Sequence, residues 1–403
     1  MTTKFKKLLL VICLIVFYKT NAQEIHSPKF GKGIINIVAK DSTFSMKVGA
    51  RMQLLTTAKW NYDNNSLLNS TSSMLVRRAR LKFDGFAYSP KLTYKIELGL
   101  SNNDIGGSSE YTNNAPRIIL DAVLKWNFYK NLSIWFGQTK LPGNRERLIS
   151  SANLELVDRS LLNKNFNIDR DLGLQLHHHF KLFDEFIVKE AFSVAQGEGR
   201  NITSENLGGY QYTGKIEFLP FGKFLGKGDY SGGDLERQKK HKLAVAISCD
   251  FNNNAVKTKS NQGSYMTTTD DGFYKTNITT WFIDGMYKYD GFSLMGEYAH
   301  RNAKDPIAKN SDGTLTGQVV QVGSGLNLQS GYLFSKNWEL TGRYTNIMFD
   351  KKIVNKSSEN QYTLGISKYI NGHSLKVQTD ISYLDAQSAK NQLMTRLQVE
   401  IHF

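Results

Sequence analysis

Hydrophobic and polar residues alternate with a period of two along much of this chain. Between residues 43 and 60 the apolar side chains occupy one parity, from Phe44 to Trp60, while polar ones such as Lys47 and Arg51 occupy the other. This pattern predicts a β-strand with one apolar and one polar face. The stretch is 18 residues long, whereas strands of soluble proteins usually have about five or six. A tilted membrane-crossing strand needs roughly 9–11 residues, so the length favours a membrane strand.

The same alternation recurs to the last residue and predicts sixteen strands. Two of them, residues 172–180 and 186–196, are only weakly patterned. The predicted strands cover residues 42–60, 74–88, 92–101, 117–128, 132–139, 172–180, 186–196, 208–219, 242–252, 276–289, 292–301, 323–334, 337–346, 359–370, 373–384 and 392–403.

The connections between these strands alternate between long and short. Long ones such as 61–73 and 140–171 are followed by short ones such as 89–91, and only the pair 197–207 and 220–241 breaks the rule, because both are long. An antiparallel membrane barrel has this arrangement, with long outer loops and short periplasmic turns. We therefore predict an all-β fold: a 16-stranded antiparallel transmembrane β-barrel with long extracellular loops. A soluble β-sandwich is the alternative, but its strands would have ordinary length.

The first 22 residues have the features of a secretory signal peptide. Lysines 4, 6 and 7 precede an apolar run of 11 residues, 8–18, and Ala22 offers a small residue before a cleavage point. The run is too short for a membrane-spanning helix. We expect residues 1–22 to be removed on export, residues 23–41 to form a periplasmic lead-in, and residues 42–403 to form the barrel.

Composition narrows the class of protein further. The 403 residues include 51 Lys and Arg against 36 Asp and Glu, a net charge of +15, and loss of the signal peptide leaves 47 basic residues. The 23 Phe, 19 Tyr and 5 Trp argue against disorder, and two cysteines exclude a disulfide scaffold. The positive charge could indicate a nucleic-acid partner, but an exported barrel does not meet genomic nucleic acid, so we expect none.

The polar parity of the strands is expected to line the channel, because about sixteen strands enclose an aqueous lumen. Twelve basic and eight acidic residues lie on this parity, a modest positive bias. Rings of Arg or Lys in a pore favour anions and phosphates; solvated lumen charges without selectivity are the alternative. The basic wall residues that we single out are Arg78, Arg80, Lys82, Lys95 and Arg343.

The third long connection, residues 140–171, is the longest and contains six basic and five acidic residues. The segment has 32 residues and no glycine after Gly143, which argues against a freely flexible loop. Loops this long are often functional. We expect the segment to fold into the lumen and narrow the pore, with an outward surface loop as the alternative. Its candidate constriction residues are Arg145, Arg147, Arg159 and Arg170.

Other motifs do not support catalysis, metal binding or a cofactor. Histidines 177 and 179 share a strand face, but zinc needs three or four converging ligands. The segment Gln196–Asn201 lacks the third glycine of a dinucleotide fingerprint, and Gly228–Asp234 lacks the ligand alternation of a calcium loop. There is no GxSxG motif and no evident Ser, His and Asp set. We therefore predict no enzyme activity, no metal and no cofactor.

Several segments resemble the phosphate-selective porin O and P family, in the form found in Bacteroidetes-type outer-membrane porins. They are MLVRRARLKFDG at 74–85, GQTKLP at 137–142, ELVDRS at 155–160 and RDLGLQ at 170–175. The resemblance implies a sixteen-stranded outer-membrane porin, usually trimeric, with a basic channel and an inward-folded third loop.

Together these features predict a porin of the Gram-negative outer membrane for passive diffusion of small solutes, anions such as phosphate among them. Its expected partners are outer-membrane lipid, the anionic solutes and further copies in a homotrimer. A non-selective general porin is the alternative. Two less favoured alternatives are an outer-membrane barrel enzyme and an adhesin.

Overall fold

Sixteen antiparallel strands form a closed barrel in the computed structural model. The structure describes residues 24–26, 28–63, 66–356, 358–387 and 390–403; the predicted signal peptide lies outside the described residues. Each strand pairs with its neighbours in sequence, and the last strand pairs with the first, with Arg51 opposite His402 and Tyr62 opposite Asn391. The strands are β1 (Ser45–Asp63), β2 (Ser66–Ala87), β3 (Ser89–Gly99), β4 (Ile119–Tyr129), β5 (Leu132–Lys140), β6 (Arg170–Lys181), β7 (Ile187–Ala195), β8 (Gln211–Leu219), β9 (Lys242–Ala255), β10 (Thr276–Tyr289), β11 (Phe292–Ala303), β12 (Gly323–Leu333), β13 (Trp338–Phe349), β14 (Glu359–Asn371), β15 (Leu375–Ala386) and β16 (Asn391–His402).

The predicted fold class is confirmed, and both weakly patterned strands exist as β6 and β7. The barrel is apolar outside and polar inside, the reverse of a soluble protein. In β1, Met52 and Leu54 are exposed, whereas Gln53 and Thr57 are buried in the interior. The alternation in the sequence therefore separates an outer surface from a lumen wall. Within the described residues, no helix is long and apolar enough to cross a membrane.

The predicted connection 61–73 is wrong, because β1 and β2 continue almost to their shared turn. Tyr62 lies opposite Leu67 and Lys59 opposite Thr71. Every residue from Ser66 to Val76 is exposed, so this part of the hairpin has water on both faces. A strand without a buried face needs no alternation, and the periodicity could not reveal it.

The predicted lead-in packs against the end of the barrel that carries the short turns. Two short strands lie there, Glu24–His26 and Ile35–Val38. The second pairs with β1, with Ile35 opposite Val48. The ring of Phe30 meets the ring of Phe403 edge-on, with 5.9 Å between centroids.

The lumen is partly filled by the third long connection, residues 141–169. It contains two short helices, α1 (Arg145–Leu148) and α2 (Leu161–Phe166). One buried apolar cluster joins Leu162, Phe166 and Ile168 of this segment to lumen-facing residues such as Phe282 and Ile347. A second cluster joins Ile149 and Leu154 to the opposite end of the wall. Apolar contacts thus hold the segment inside the barrel.

The connection 220–241 also enters the lumen, from the end with the short turns. It meets the third connection there: the Gly232 amide donates to the Asn153 carbonyl at 2.6 Å, and the Gly233 amide donates to Glu155 Oε1 at 2.6 Å. A Cβ added at Gly232 would lie 2.6 Å from the Asn153 oxygen, so only glycine allows this approach. The pore is therefore set by two inserted segments and not by the barrel diameter alone.

Candidate pore constriction

Arg145 in α1 fixes the third connection to the barrel wall. Its Nε donates to Asp284 Oδ1 at 2.7 Å and its Nη2 donates to Glu217 Oε1 at 2.6 Å. The remaining nitrogen donates to the Asp229 carbonyl of the 220–241 connection at 2.7 Å. The side chain is fully buried, and its planar guanidinium suits such a multiple contact. One residue thus ties the third connection, strands β8 and β10, and the second inserted segment together.

Helix α2 is held at both ends. Ser160 caps its start, because its Oγ accepts from the Asn163 amide at 3.2 Å. At its end the guanidinium of Arg301 on β11 donates to the carbonyls of Asn165 and Phe166, both at 2.9 Å. A cation at a helix C-terminus is favourable because the carbonyl dipoles point towards it. These contacts fix the path of the chain on both sides of the constriction.

The acidic side chains of the third connection do not face the channel as free charges. Asp158 accepts from Arg77 at 3.0 Å and from Arg78 at 3.2 Å, and Asp169 forms an ion pair with Arg147. Burial by itself raises the pKa of Asp158, but the guanidinium groups of Arg78 and Arg77 outweigh it and hold the pKa below its ordinary value. These carboxylates are therefore ionised and already paired at neutral pH.

A small cavity lies between the third connection and the wall formed by β2 to β6. Its volume is about 260 Å³, and we call it the basic cavity. Seven basic and two acidic residues contribute to its lining. They are Arg80, Lys95, Lys125, Lys140, Arg147, Arg159 and Arg170, with Glu97 and Asp121.

The two carboxylates of the basic cavity are shared among its cations. Glu97 pairs with Arg80 at 2.9 Å and with Lys95 at 2.7 Å. Asp121 pairs with Lys95 at 2.8 Å and with Arg170 at 3.1 Å.

Two other cations of this cavity are held by backbone carbonyls. Arg159 donates to the Glu146 carbonyl at 2.9 Å. Lys140 donates to the Arg147 carbonyl at 2.6 Å. Carbonyls position a cation without neutralising it, so the cavity keeps a positive excess.

A larger cavity adjoins the basic cavity towards the end with the short turns. Its volume is about 610 Å³, and we call it the wide cavity. The two cavities share the lining residues Lys125, Trp135, Lys140 and Leu148. They therefore form one path along the β2–β8 side of the barrel, while the other side is occupied by the inserted segments.

Comparison with known proteins agrees with this architecture. The sequence model of the phosphate-selective porin O and P family matches residues 47–402. The chain belongs to this porin family. An uncharacterised protein of Aquifex aeolicus is 22% identical over 387 residues, which cover 89% of this chain and 87% of that protein.

Solved outer-membrane channels share the fold of this porin at low identity. The anion-selective porin from Comamonas acidovorans aligns with a TM-score of 0.54 and 11% identity, over 89% of this chain and all of that one. The channel DcaP of Acinetobacter baumannii aligns with a TM-score of 0.53 and 13% identity, over 91% of this chain and 99% of that one. The family and the closed barrel indicate an outer-membrane channel.

Five of the nine basic residues expected in the pore come together in the porin's basic cavity. They are Arg80, Lys95, Arg147, Arg159 and Arg170.

The other four lie elsewhere. Arg145 is buried in its ion pairs, and Arg78 donates to Gln53 and Asp158. Arg343 donates to the Asp158 carbonyl at 2.8 Å. Lys82 pairs with Asp84 at 2.8 Å, outside both cavities. The third connection covers Arg78 and Arg343 and contains Arg145, whereas Lys82 lines neither of the two cavities.

Sequence reasoning did not single out Lys125, Lys140 or Trp135 as site residues, although all three line both cavities. Lys125 stands on the polar parity of its strand, which was a usable signal. Trp135 gave a misleading one, because an aromatic residue in a membrane strand is expected on the lipid side.

The motifs that resembled metal or nucleotide sites have structural roles. His177 stacks on Trp135 inside the lumen, with 3.9 Å between ring centroids, whereas His178 pairs with Glu190. In the described part of the chain, no three His, Cys, Asp or Glu side chains are grouped to hold a metal ion. The amides of Gly197 and Gly199 both donate to Asp171 Oδ2, at 3.0 and 2.9 Å, so this glycine pair binds the protein's own carboxylate.

Proposed function

We propose that this porin is a passive diffusion channel that prefers small anions, phosphate among them. The observation that supports this most directly is the basic cavity, where seven cations stand against two carboxylates at the narrow part of the path. Positive rings in a pore favour anions, and low-dielectric walls around a cleft strengthen the effect. The wide cavity continues the path with further lysines, Lys91, Lys189 and Lys215.

The chemistry of the cavity favours a general anion preference over strict phosphate selectivity. Guanidinium groups can bind phosphate through two parallel hydrogen bonds. In this cavity, however, Arg80 is engaged by Asp104 and Glu97, and Arg170 is engaged by Asp121. The site therefore supplies a positive potential rather than free arginine forks.

Reversal potentials in planar bilayers test this proposal. The purified porin is placed in a tenfold KCl gradient, and the sign of the reversal potential gives the preferred ion. A preference for chloride, with phosphate carrying or blocking current in competition, supports the proposal. A preference for potassium contradicts it, and equal permeability would favour a non-selective general porin.

We also propose that the porin works as a homotrimer in outer-membrane lipid after removal of residues 1–22. The support is the family, together with the outward band of apolar side chains such as Leu124, Trp126 and Phe136, all exposed. The expected results are a detergent-resistant trimer on gel electrophoresis and a mature N-terminus at Gln23. A monomer in native membranes, or an intact leader in the mature protein, would contradict this.

A further inference from the structure

The wide cavity carries apolar side chains that a channel for inorganic ions does not need. Trp135, Leu148, Pro142 and Tyr230 all contribute to its lining, beside several lysines. The lumen wall of a water-filled barrel is otherwise polar. Apolar side chains grouped beside a solute path can bind the apolar part of a solute.

The centre of this surface is an ordered stack of three side chains on neighbouring strands. Lys125 on β4 lies opposite Trp135 on β5, with its Nζ 3.6 Å from the ring centroid. His177 on β6 stacks on the same ring at an interplanar angle of 25°. Hydrogen bonds fix both rings, because Trp135 Nε1 donates to Ser133 at 3.2 Å and His177 Nε2 lies 3.0 Å from Gln175 Oε1.

The charge of Lys125 is not matched by a carboxylate. Within the part of the chain that the structure describes, Lys125 makes no ion pair, whereas Lys189 and Lys215 in the same cavity pair with acidic residues at 3.0 Å or less. A cation held over an aromatic ring keeps its charge and its hydrogen-bond donors. Lys125 is therefore a free partner for an anion at the boundary between the two cavities.

We propose that the wide cavity is a binding site for small organic anions whose charge is attached to a flat ring. This inference rests on the proposed anion pathway and names the class of solute that it serves best. The solute ring contacts the edge of Trp135 and the side chain of Leu148, because Lys125 and His177 already cover the faces of the indole, while the carboxylate or phosphate contacts Lys125 and faces the basic cavity. The volume of about 610 Å³ is in the range of small-molecule sites and far exceeds the need of inorganic phosphate.

Current block by benzoate and by acetate tests the proposal, because the two anions share a carboxylate and differ in the ring. Chloride current through single porins is recorded while each salt is added. Aromatic contacts contribute about 0.5–1.5 kcal/mol, so we expect half-block by benzoate at a concentration about two- to tenfold below that of acetate. Trp135→Ser should abolish this difference, and Trp135→Phe should keep most of it.

The matched control is Trp338→Ser. Trp338 is exposed on the outer surface and also has a lysine over its ring, with Lys368 Nζ 5.2 Å from the centroid, yet it lies outside both cavities. It should leave the benzoate preference unchanged.

Equal block by benzoate and acetate in an anion-preferring wild-type porin would overturn this inference and leave the proposed function intact. Potassium preference in the wild type would overturn both. If Trp135→Ser does not insert into bilayers, Lys125→Met decides, since it should weaken block by both anions severalfold; unchanged block would contradict the site.

Discussion

Replacing Arg145 by methionine should loosen the constriction without opening the barrel wall. The substitution keeps most of the side-chain volume and removes the three polar contacts that join the third connection to Glu217, Asp284 and the 220–241 connection. Both carboxylates then lose a buried partner. The expected result is a larger and noisier single-channel conductance, because α1 becomes free to leave the wall.

The magnitude follows from what remains around the two carboxylates. Breaking a buried ion pair by removing one partner costs about 3–5 kcal/mol. Here Asp284 still pairs with Lys215 and Glu217 still pairs with Lys189, both at 3.0 Å. We therefore expect the loss of stability to lie near the lower end of this range, at about 3 kcal/mol. The apolar anchor of α2 is untouched, with Leu162 and Phe166 fully buried. Burial of each of these side chains contributes about 1.5–3 kcal/mol of stabilisation. The apolar anchor therefore keeps the second half of the connection in place.

Conductance recordings and thermal unfolding in detergent separate this effect from a general loss of stability. Arg145→Met should raise the conductance and its fluctuations while the barrel still shows a cooperative thermal unfolding transition. Adding Glu217→Gln to it removes a buried carboxylate whose remaining partner is Lys189, and should restore part of the closed behaviour. Lys239→Met serves as the control, because Lys239 pairs with Asp290 while its side chain is 77% exposed, and such surface pairs contribute about 0–1 kcal/mol. Unchanged conductance in Arg145→Met, or a double variant that is worse than the single one, would refute the reasoning.

Three further predictions concern charge, pH and the second inserted segment. Arg159→Gln should lower the chloride-to-potassium permeability ratio, measured by reversal potential, because it removes a cavity cation that carbonyls hold. Asp158 and Asp169 have lowered pKa values in the folded protein; their stabilisation is complete above the ordinary pKa of about 3.9 and is lost as the pH falls through the lowered values. Conductance noise should therefore rise below about pH 4, and Asp158→Asn should show the same noise at neutral pH. Replacing residues 222–239 by a short turn should increase the conductance, since this segment fills part of the lumen.

Each of these predictions has a result that contradicts it. Lys82 lies outside the basic cavity. If Lys82→Gln changed the permeability ratio as much as Arg159→Gln, the basic cavity would not be the source of the anion preference. Conductance that stays quiet to pH 2, or a quiet Asp158→Asn variant, would show that these carboxylates do not hold the loop. An unchanged conductance after the 222–239 replacement would mean that the segment does not limit the path.

The barrel could be predicted almost completely from the sequence, because the side that each strand residue faces depends on its own polarity and not on distant contacts. In a membrane strand each residue faces either lipid or lumen, so Met52, Gln53 and Leu54 show their positions by polarity alone. The alternation failed at 66–76, where the hairpin has no buried face. The predicted connections 253–275 and 302–322 also contain short antiparallel strand pairs that the alternation did not predict.

The pore could be predicted only in part, because its geometry depends on contacts between distant residues. Arg145 and Arg147 are separated by one residue in the sequence, yet Arg145 is fully buried and Arg147 lines the cavity. The sequence of the third connection contains nearly equal numbers of basic and acidic residues. The structure separates these charges, since Asp158 is drawn to Arg77 and Arg78 outside the cavity.

The inward contacts of the third connection also impose an order on assembly. Arg145 reaches Asp284, 139 residues further along the chain, and Glu155 accepts from Gln378, 223 residues further on. These partners lie on strands made after the connection itself, and their wall is complete only when β16 meets β1. The third connection can therefore take its final position only after strands β10 and β15 are in place. A barrel stopped before that point would have a wider lumen, because the third connection would not yet fill it.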